Sequence, residues 1–361
     1  PPCQGFSLIG QRVLDDPRNS LVREFVRIVS ELDANYFVFE NVKGLTVGTH
    51  RKFLEELIEE FRSIGYNVRM PWRVLNAVSY GTPQLRERLI LIGAKRGLKL
   101  PDYPIATPAR AGSDAALAGL ELGPTCSDAL GDLPDAESFE ELHQLDYVHT
   151  EKWGKLSSYA AEMRCTTAAA WHFGYRRKWD SHVLTSSNRS DHTEISRRRF
   201  SATKSGDVEP ISRFLKLAPN GVCNTLRAGS DSARGAFTSP RPIHYRYPRC
   251  ITVREMARLH GFPDWFRLHV TKWHGARQVG NAVPPPLARA IAGEILKSAG
   301  EEPERPKGTM PLGPVPLLQM NMAEASRYFG IPVPIGNRDR KSGTRKRKQA
   351  EIEAELECAA S

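Results

Sequence analysis

Two short, wholly apolar runs, Tyr36-Phe37-Val38-Phe39 and Leu89-Ile90-Leu91-Ile92, constrain this chain most. Each has the length and composition of a strand covered on both faces. Around them the period changes. Leu21, Phe25, Ile28, Val29 and Leu32 recur at helical spacing, with Asn19 or Ser20 as N-cap. Phe53, Leu54, Leu57, Ile58, Phe61 and Ile64 mark a second amphipathic helix, which Gly65 can end. Strands alternating with helices predict an α/β fold, a doubly wound sheet over residues 1–97 with Tyr36–Phe39 as a buried parallel strand.

The pattern dissolves after Gly97. Residues 98–248 are rich in Pro, Gly, Ser, Asp, His and Arg, which predicts a loop-rich second domain or long insertions. Regular structure returns at Thr252-Val253-Arg254-Glu255, a capping box that starts a short helix ended near Gly261. Pro284-Pro285-Pro286 precedes a last helix carrying Leu287, Ile291 and Ile295. Residues 299–361 are Pro-rich, then basic, and are expected to be weakly ordered.

Lys+Arg total 51 against 41 Asp+Glu, a formal charge of +10 that suits a polyanionic partner. None of the six cysteines forms a C-x-x-C pair, which argues against a zinc ribbon, and no metal is expected. Their scatter suits reduced thiols, so a cytoplasmic location is expected. There is no apolar run of membrane-spanning length, and no membrane partner is expected.

Five segments carry chemistry. Pro1-Pro2-Cys3-Gln4-Gly5-Phe6-Ser7 sets a thiol on a rigid base beside a mobile loop, although a lone Cys is more often a small buried hydrophobe. Glu40-Asn41-Val42 follows directly on the first strand, and ligands of α/β sheets bind at the carboxyl ends of strands. Such a Glu is more often a helix cap or a solvated charge. Tyr80-Gly81-Thr82-Pro83-Gln84-Leu85-Arg86-Glu87-Arg88 brings two Arg onto one face of an extended segment, where a solvated charge cluster is the commoner arrangement. Arg249–Pro263 contains the capped helix, and Gln278-Val279-Gly280-Asn281-Ala282-Val283-Pro284-Pro285 is either a ligand lip or a turn before a helix.

In this order the five segments resemble the motifs of the DNA cytosine-5 methyltransferases of the bacterial restriction–modification type, over residues 1–298. The resemblance implies an incomplete doubly wound, Rossmann-like methyltransferase sheet with a second, loop-rich mixed target-recognition domain. Residues 1–97 would be the C-terminal part of the catalytic domain and 98–248 the target-recognition domain. Residues 249–298 would return to the catalytic domain with the cofactor lip, and 299–361 would be a flexible basic tail. Cys3 would be the covalent nucleophile. Glu40 would hold the cytosine and donate a proton at ring nitrogen 3. Arg88 would bind the base and the Glu, while Arg86 would serve structure or phosphate. Gly280, Asn281, Ala282 and Val283, with Pro2, would border S-adenosyl-L-methionine. The loop Gly5–Arg18, with Gly5, Ser7 and Gly10, would close over a cytosine flipped out of double-stranded DNA, and Gln4, Ser7 and Gly10 would contact that DNA. Arg197, Arg198, Arg199 and Arg227 would bind phosphates or read base edges.

The family places a Gly-rich donor loop upstream of the nucleophile, and no such loop stands in this sequence. The expectation is therefore a truncated sequence or a split enzyme with a complementing N-terminal subunit. A non-catalytic DNA-binding subunit and a tRNA cytosine-5 methyltransferase are the alternatives.

Overall fold

The computed structural model describes residues 20–48, 50–106, 123–167, 174–230, 241–304 and 306–332. These fall into two compact units. One draws on the described residues of Pro1–Gly123 and Pro285–Glu304, the other on those of Pro124–Pro284 and Arg305–Ser361.

The first unit begins with α1 (Ser20–Glu31), β1 (Tyr36–Val42), α2 (His50–Ser63), β2 (Tyr66–Val68), β3 (Arg73–Asn76) and β4 (Glu87–Lys95). The strand order is β1-β4-β2, and β3 also pairs with β4. All three pairings are antiparallel, with Phe39 opposite Leu91 and Val68 opposite Gly93. The expected parallel pairing of Tyr36–Phe39 is thus corrected. β1 and β2 do run in the same direction, but β4 lies between them and supplies the hydrogen bonds to both. Central placement also explains the burial. Leu89 to Ala94 in β4 are buried without a break, whereas β1 alternates.

α2 buries Leu54, Leu57, Ile58 and Phe61, as its period predicts, and Gly65 takes φ +96° at the turn that follows. α1 forms where expected but turns a different stripe inward. Val22, Val26 and Val29 are buried, while Leu21, Ile28 and Leu32 are exposed. Phe25 meets Phe37, Phe39 and Phe61 edge-on, and Phe37 stacks on Phe61 at 4.1 Å. A Cβ at position 93 would lie 2.1 Å from the Phe37 ring, so the central strand needs glycine there. The helix Pro285–Ala299 packs against the 3-10 turn Ala77–Tyr80.

The second unit has short elements: α3 (Cys126–Leu130), β5 (Val148–His149), α4 (Ser158–Met163), β6 (Arg176–Lys178), β7 (Val183–Leu184), α5 (Glu194–Ala202), α6 (Val253–His260), α7 (Lys272–Asn281), β8 (Thr309–Pro311) and α8 (Met322–Phe329). Its core joins Cys126, Leu142, Met163 and Leu226 to Met256, Leu259 and Val279. Residues 253–281 therefore share one core with the loop-rich stretch before them. α6 has the predicted ends: Thr252 and Glu255 close a capping box, and Gly261 caps the C-terminus at φ +87°.

The expectation of weak order from residue 299 onward needs correcting over 306–332. β8 pairs with β6, and α8 carries its own Asn321/Glu324 capping box and a left-handed Gly330. Sequence periodicity misses these because each is shorter than the window that would show it. Among the described residues no helix is long and apolar enough to cross a membrane.

Candidate functional site

In the first unit, antiparallel pairing puts the carboxyl end of β1 beside the amino end of β4, with Val42 opposite Arg88. Glu40 and Arg88 meet there, with Arg88 Nε 2.8 Å from Glu40 Oε1. The guanidinium side chain is 12% exposed and the carboxylate 32%, so the pair is shielded yet reachable. Arg88 Nη1 also donates to the Glu87 carbonyl at 2.8 Å, which fixes the plane of the fork. Glu87 points away and pairs with Lys43 at 3.0 Å.

The approach to this corner is rigid. Thr82, Gln84 and Arg86 are buried, and Gly81 sits at φ +81°. The Asn76 side chain accepts from Arg86 N at 3.0 Å and from Val78 N at 3.4 Å. The Ala77 amide donates to the Arg86 carbonyl. Asn76 thereby aligns the strand that presents Arg88. Motif reading missed it, although an Asn starting a short segment that ends in Gly is a capping signal. Arg86 is only 1% exposed, which fits the structural one of its two expected roles.

In the second unit, Gly280 is spent on packing. A Cβ there would lie 2.4 Å from Ala228 N and 2.5 Å from the Arg227 carbonyl carbon. α7 can therefore approach the chain at 227–228 closely only because this position has no side chain. Asn281 is exposed, and Ala282 and Val283 are half-buried, so an amide and two small apolar groups are open to a ligand. The Ala282 carbonyl lies 3.0 Å from His260 Nε2, which pins this lip to the end of α6. These residues fit the border of a polar, partly apolar donor such as S-adenosylmethionine, with Gly280 supporting from behind.

α6 is held by buried charge. Arg258 is fully buried between Asp132 and Asp264, with its Nε 2.5 Å from Asp264 and its Nη1 3.0 Å from Asp132. Burial alone would lower the Arg258 guanidinium, but the two carboxylates raise it above its usual range. Arg249 bonds both Glu255 oxygens at 2.9 Å. Burial would raise the Glu255 carboxyl, yet Arg249 brings it down to about 2. Arg254 binds the Thr185 hydroxyl and the Phe266 carbonyl, and burial lowers it to about 10.

On α5, Arg198 is well exposed, while Arg197 and Arg199 are committed to Glu137 at 2.6 Å and Glu209 at 3.3 Å. Burial would raise the Glu137 carboxyl, but the Arg197 contacts hold it below the usual range. The three consecutive Arg therefore divide: Arg198 is exposed, with only a solvated contact to Glu194 at 3.8 Å, and the other two brace the unit. Arg227 is exposed.

Cys3, Pro2, Gln4, Ser7 and Gly10 lie outside the described residues. Among the described cysteines, burial pushes Cys126 and Cys165 up to about 12 and Cys250 to about 11, with Cys223 higher still. None of these four supplies a thiolate near neutral pH.

Residues 1–297 match the sequence model of the family described as C-5 cytosine-specific DNA methylase. The Type II methyltransferase M.XorII of Xanthomonas oryzae pv. oryzae is 57% identical over 330 residues, covering 91% of this chain and 74% of the relative. M1.HphI of Haemophilus parahaemolyticus, also a Type II methyltransferase, is 35% identical, covering 82% of this chain and 67% of the relative. A solved E. coli protein described as a prophage-encoded DNA modification methyltransferase superposes with a TM-score of 0.62. Its identity is 31%, and the match covers 83% of this chain and 78% of that one.

Proposed function

Because the chain belongs to the C-5 cytosine-specific DNA methylase family, and so is a DNA cytosine methyltransferase, we propose that it works on a cytosine flipped out of double-stranded DNA, through a covalent adduct of Cys3. Carbon 5 of cytosine is a poor nucleophile and carbon 6 is electron-poor. A thiolate that adds to carbon 6 sends the ring electrons toward carbon 5, and cysteine suits the task because it both attacks and leaves. S-adenosylmethionine, when bound, supplies the methyl group that carbon 5 then takes. A base removes the carbon 5 proton, the carbon–sulfur bond breaks, and the thiolate is released.

Glu40 would hold the pyrimidine edge and give a proton to ring nitrogen 3 as negative charge builds on the ring. Arg88 would keep that carboxyl in place and stabilise the same charge. Asn76 would act through Arg88 by fixing its strand. Asn281, Ala282 and Val283 would border the donor. Arg198 and Arg227, exposed on the second unit, would bind phosphates of the duplex.

The observation that carries the reading is the Glu40–Arg88 pair, 2.8 Å apart at one end of the sheet. The test is methyl transfer by the full gene product to duplex DNA and, in parallel, to tRNA. Cys3→Ser is expected to abolish turnover on DNA, and trapping by 5-fluorocytosine DNA with it, while duplex binding survives. Glu40→Gln and Arg88→Ala should each lower kcat by roughly a hundredfold or more. Unchanged turnover in the Cys3→Ser protein, or transfer to tRNA alone, overturns the proposal.

A further inference from the structure

The C-terminal segment beyond the family match does something specific on the second unit. The match ends at residue 297, yet Thr309–Pro311 pairs in parallel with Arg176–Lys178, Met310 opposite Arg177. A Cβ at Gly308 would lie 3.6 Å from the Tyr175 ring, so the segment runs close along this strand. It is anchored further on, where the Val270 amide donates to the Leu318 carbonyl at 3.1 Å.

The pairing sorts the three basic residues of β6 by face. Side chains alternate along a strand. Arg177 is half-buried, stacked 4.8 Å over Trp265 and 3.6 Å from the Met310 sulfur. Arg176 and Lys178 therefore share the opposite face, and both are exposed. Two residues of strand separate them by about 6.6 Å. Lys307, also exposed, lies two residues before the added strand. Neither 174–178 nor 307–311 contains a carboxylate. An isolated three-residue strand does not hold its side chains in register. Here the C-terminal strand and the Trp265 ring together provide that register.

We propose that β6 and β8 form a basic ribbon that grips the phosphate backbone of duplex DNA through Arg176, Lys178 and Lys307, and that the C-terminal strand is the brace that aligns it. The proposal rests on the reading that the second unit binds duplex DNA. Backbone contacts add affinity without reading sequence, so the ribbon would strengthen binding equally on target and non-target duplexes.

The experiment is duplex binding by the full gene product, followed by fluorescence anisotropy across a salt series. Arg176→Ala/Lys178→Ala alters exposed side chains and leaves the fold intact. It should weaken binding on the order of tenfold on target and non-target DNA alike, and flatten the slope of log affinity against log salt by about 2. A chain ended after Glu304 loses Lys307 and the basic residues 338–348 as well, so its slope should flatten by more than about 2, and the 176–178 amides should exchange faster. An unchanged slope in the double variant, while wild type binds and Arg198→Ala flattens it, overturns the ribbon alone. A deletion that leaves the 176–178 amides exchanging at the wild-type rate overturns the brace. A wild-type protein with no affinity for duplex DNA overturns the underlying reading and the ribbon with it.

Discussion

The two units are stabilised in different ways. The first has an apolar centre: Phe37, Phe39, Phe61, Leu89 and Leu91 pack without a charge among them. Most of its ion pairs are exposed, such as Arg27 with Glu24 and Glu31, and Lys95 with Asp33. Glu40–Arg88 is a shielded exception, and it lies at the candidate site. The second unit encloses Arg249, Arg254 and Arg258 with Glu255, Asp132 and Asp264 inside its core region. A chain with long periodic elements can rely on hydrophobic burial to select its packing. One with elements of two to ten residues has less apolar surface per element, and here fixed charge pairs hold distant segments in register.

The largest expected effect comes from opening that network. Arg258→Ala leaves Asp132 buried without its cation and Asp264 with only Arg254 at 3.8 Å, and should cost about 4 kcal/mol in urea denaturation. Five of the six tryptophans belong to residues 124–284, so tryptophan fluorescence reports mainly on this unit. Hydrogen exchange should quicken in α6 and stay slow in β1 and β4. A uniform loss across both units would break the comparison.

Acid should weaken the second unit next. Burial, opposed by Glu255, lowers the His244 imidazole to about 4 from 6.5. A group with a depressed folded value binds its proton more readily when unfolded. Its contribution is therefore present above about 6.5 and is lost as pH falls toward 4, on the order of 3 kcal/mol in all. His192, lowered to about 4 chiefly by burial, adds in the same direction. Glu255, at about 2, stays ionised through this window. A urea midpoint that falls between pH 6.5 and 4, and falls less in His244→Asn, is the expected result. A flat midpoint would contradict it.

For the first unit the sensitive test is steric. Gly93→Ala drives a Cβ into the Phe37 ring, which its stack on Phe61 prevents from moving. A loss of about 2 kcal/mol is expected, partly recovered by adding Phe37→Leu. Equal stability of Gly93→Ala and wild type would show that the aromatic cluster is looser than its geometry implies. Arg27→Ala removes a fully exposed cation and should leave the urea midpoint unchanged within error.

The α/β class, helices α1 and α2, the strand Leu89–Ile92 and the ends of α6 were legible in the sequence, because each rests on neighbours within one or two turns. Thr252 needs only Glu255 and Gly261 to define its helix. Glu40 and Arg88 were singled out by their motifs, and the register of β1 on β4 brings them together. Other features depend on partners far along the chain, and only the tertiary structure decides them. Which stripe of α1 is buried depends on where Phe37 and Phe61 lie. Arg86 is buried while Arg88, two residues on, keeps some exposure beside Glu40, a difference that their shared motif does not show. Arg258 meets Ala129 and Asp132 more than a hundred positions away, and Arg176 faces outward through a strand contributed from residue 309 onward. Apolar periodicity is a local property of the chain, whereas the partner of a buried charge or of an edge strand is set by how the whole unit closes.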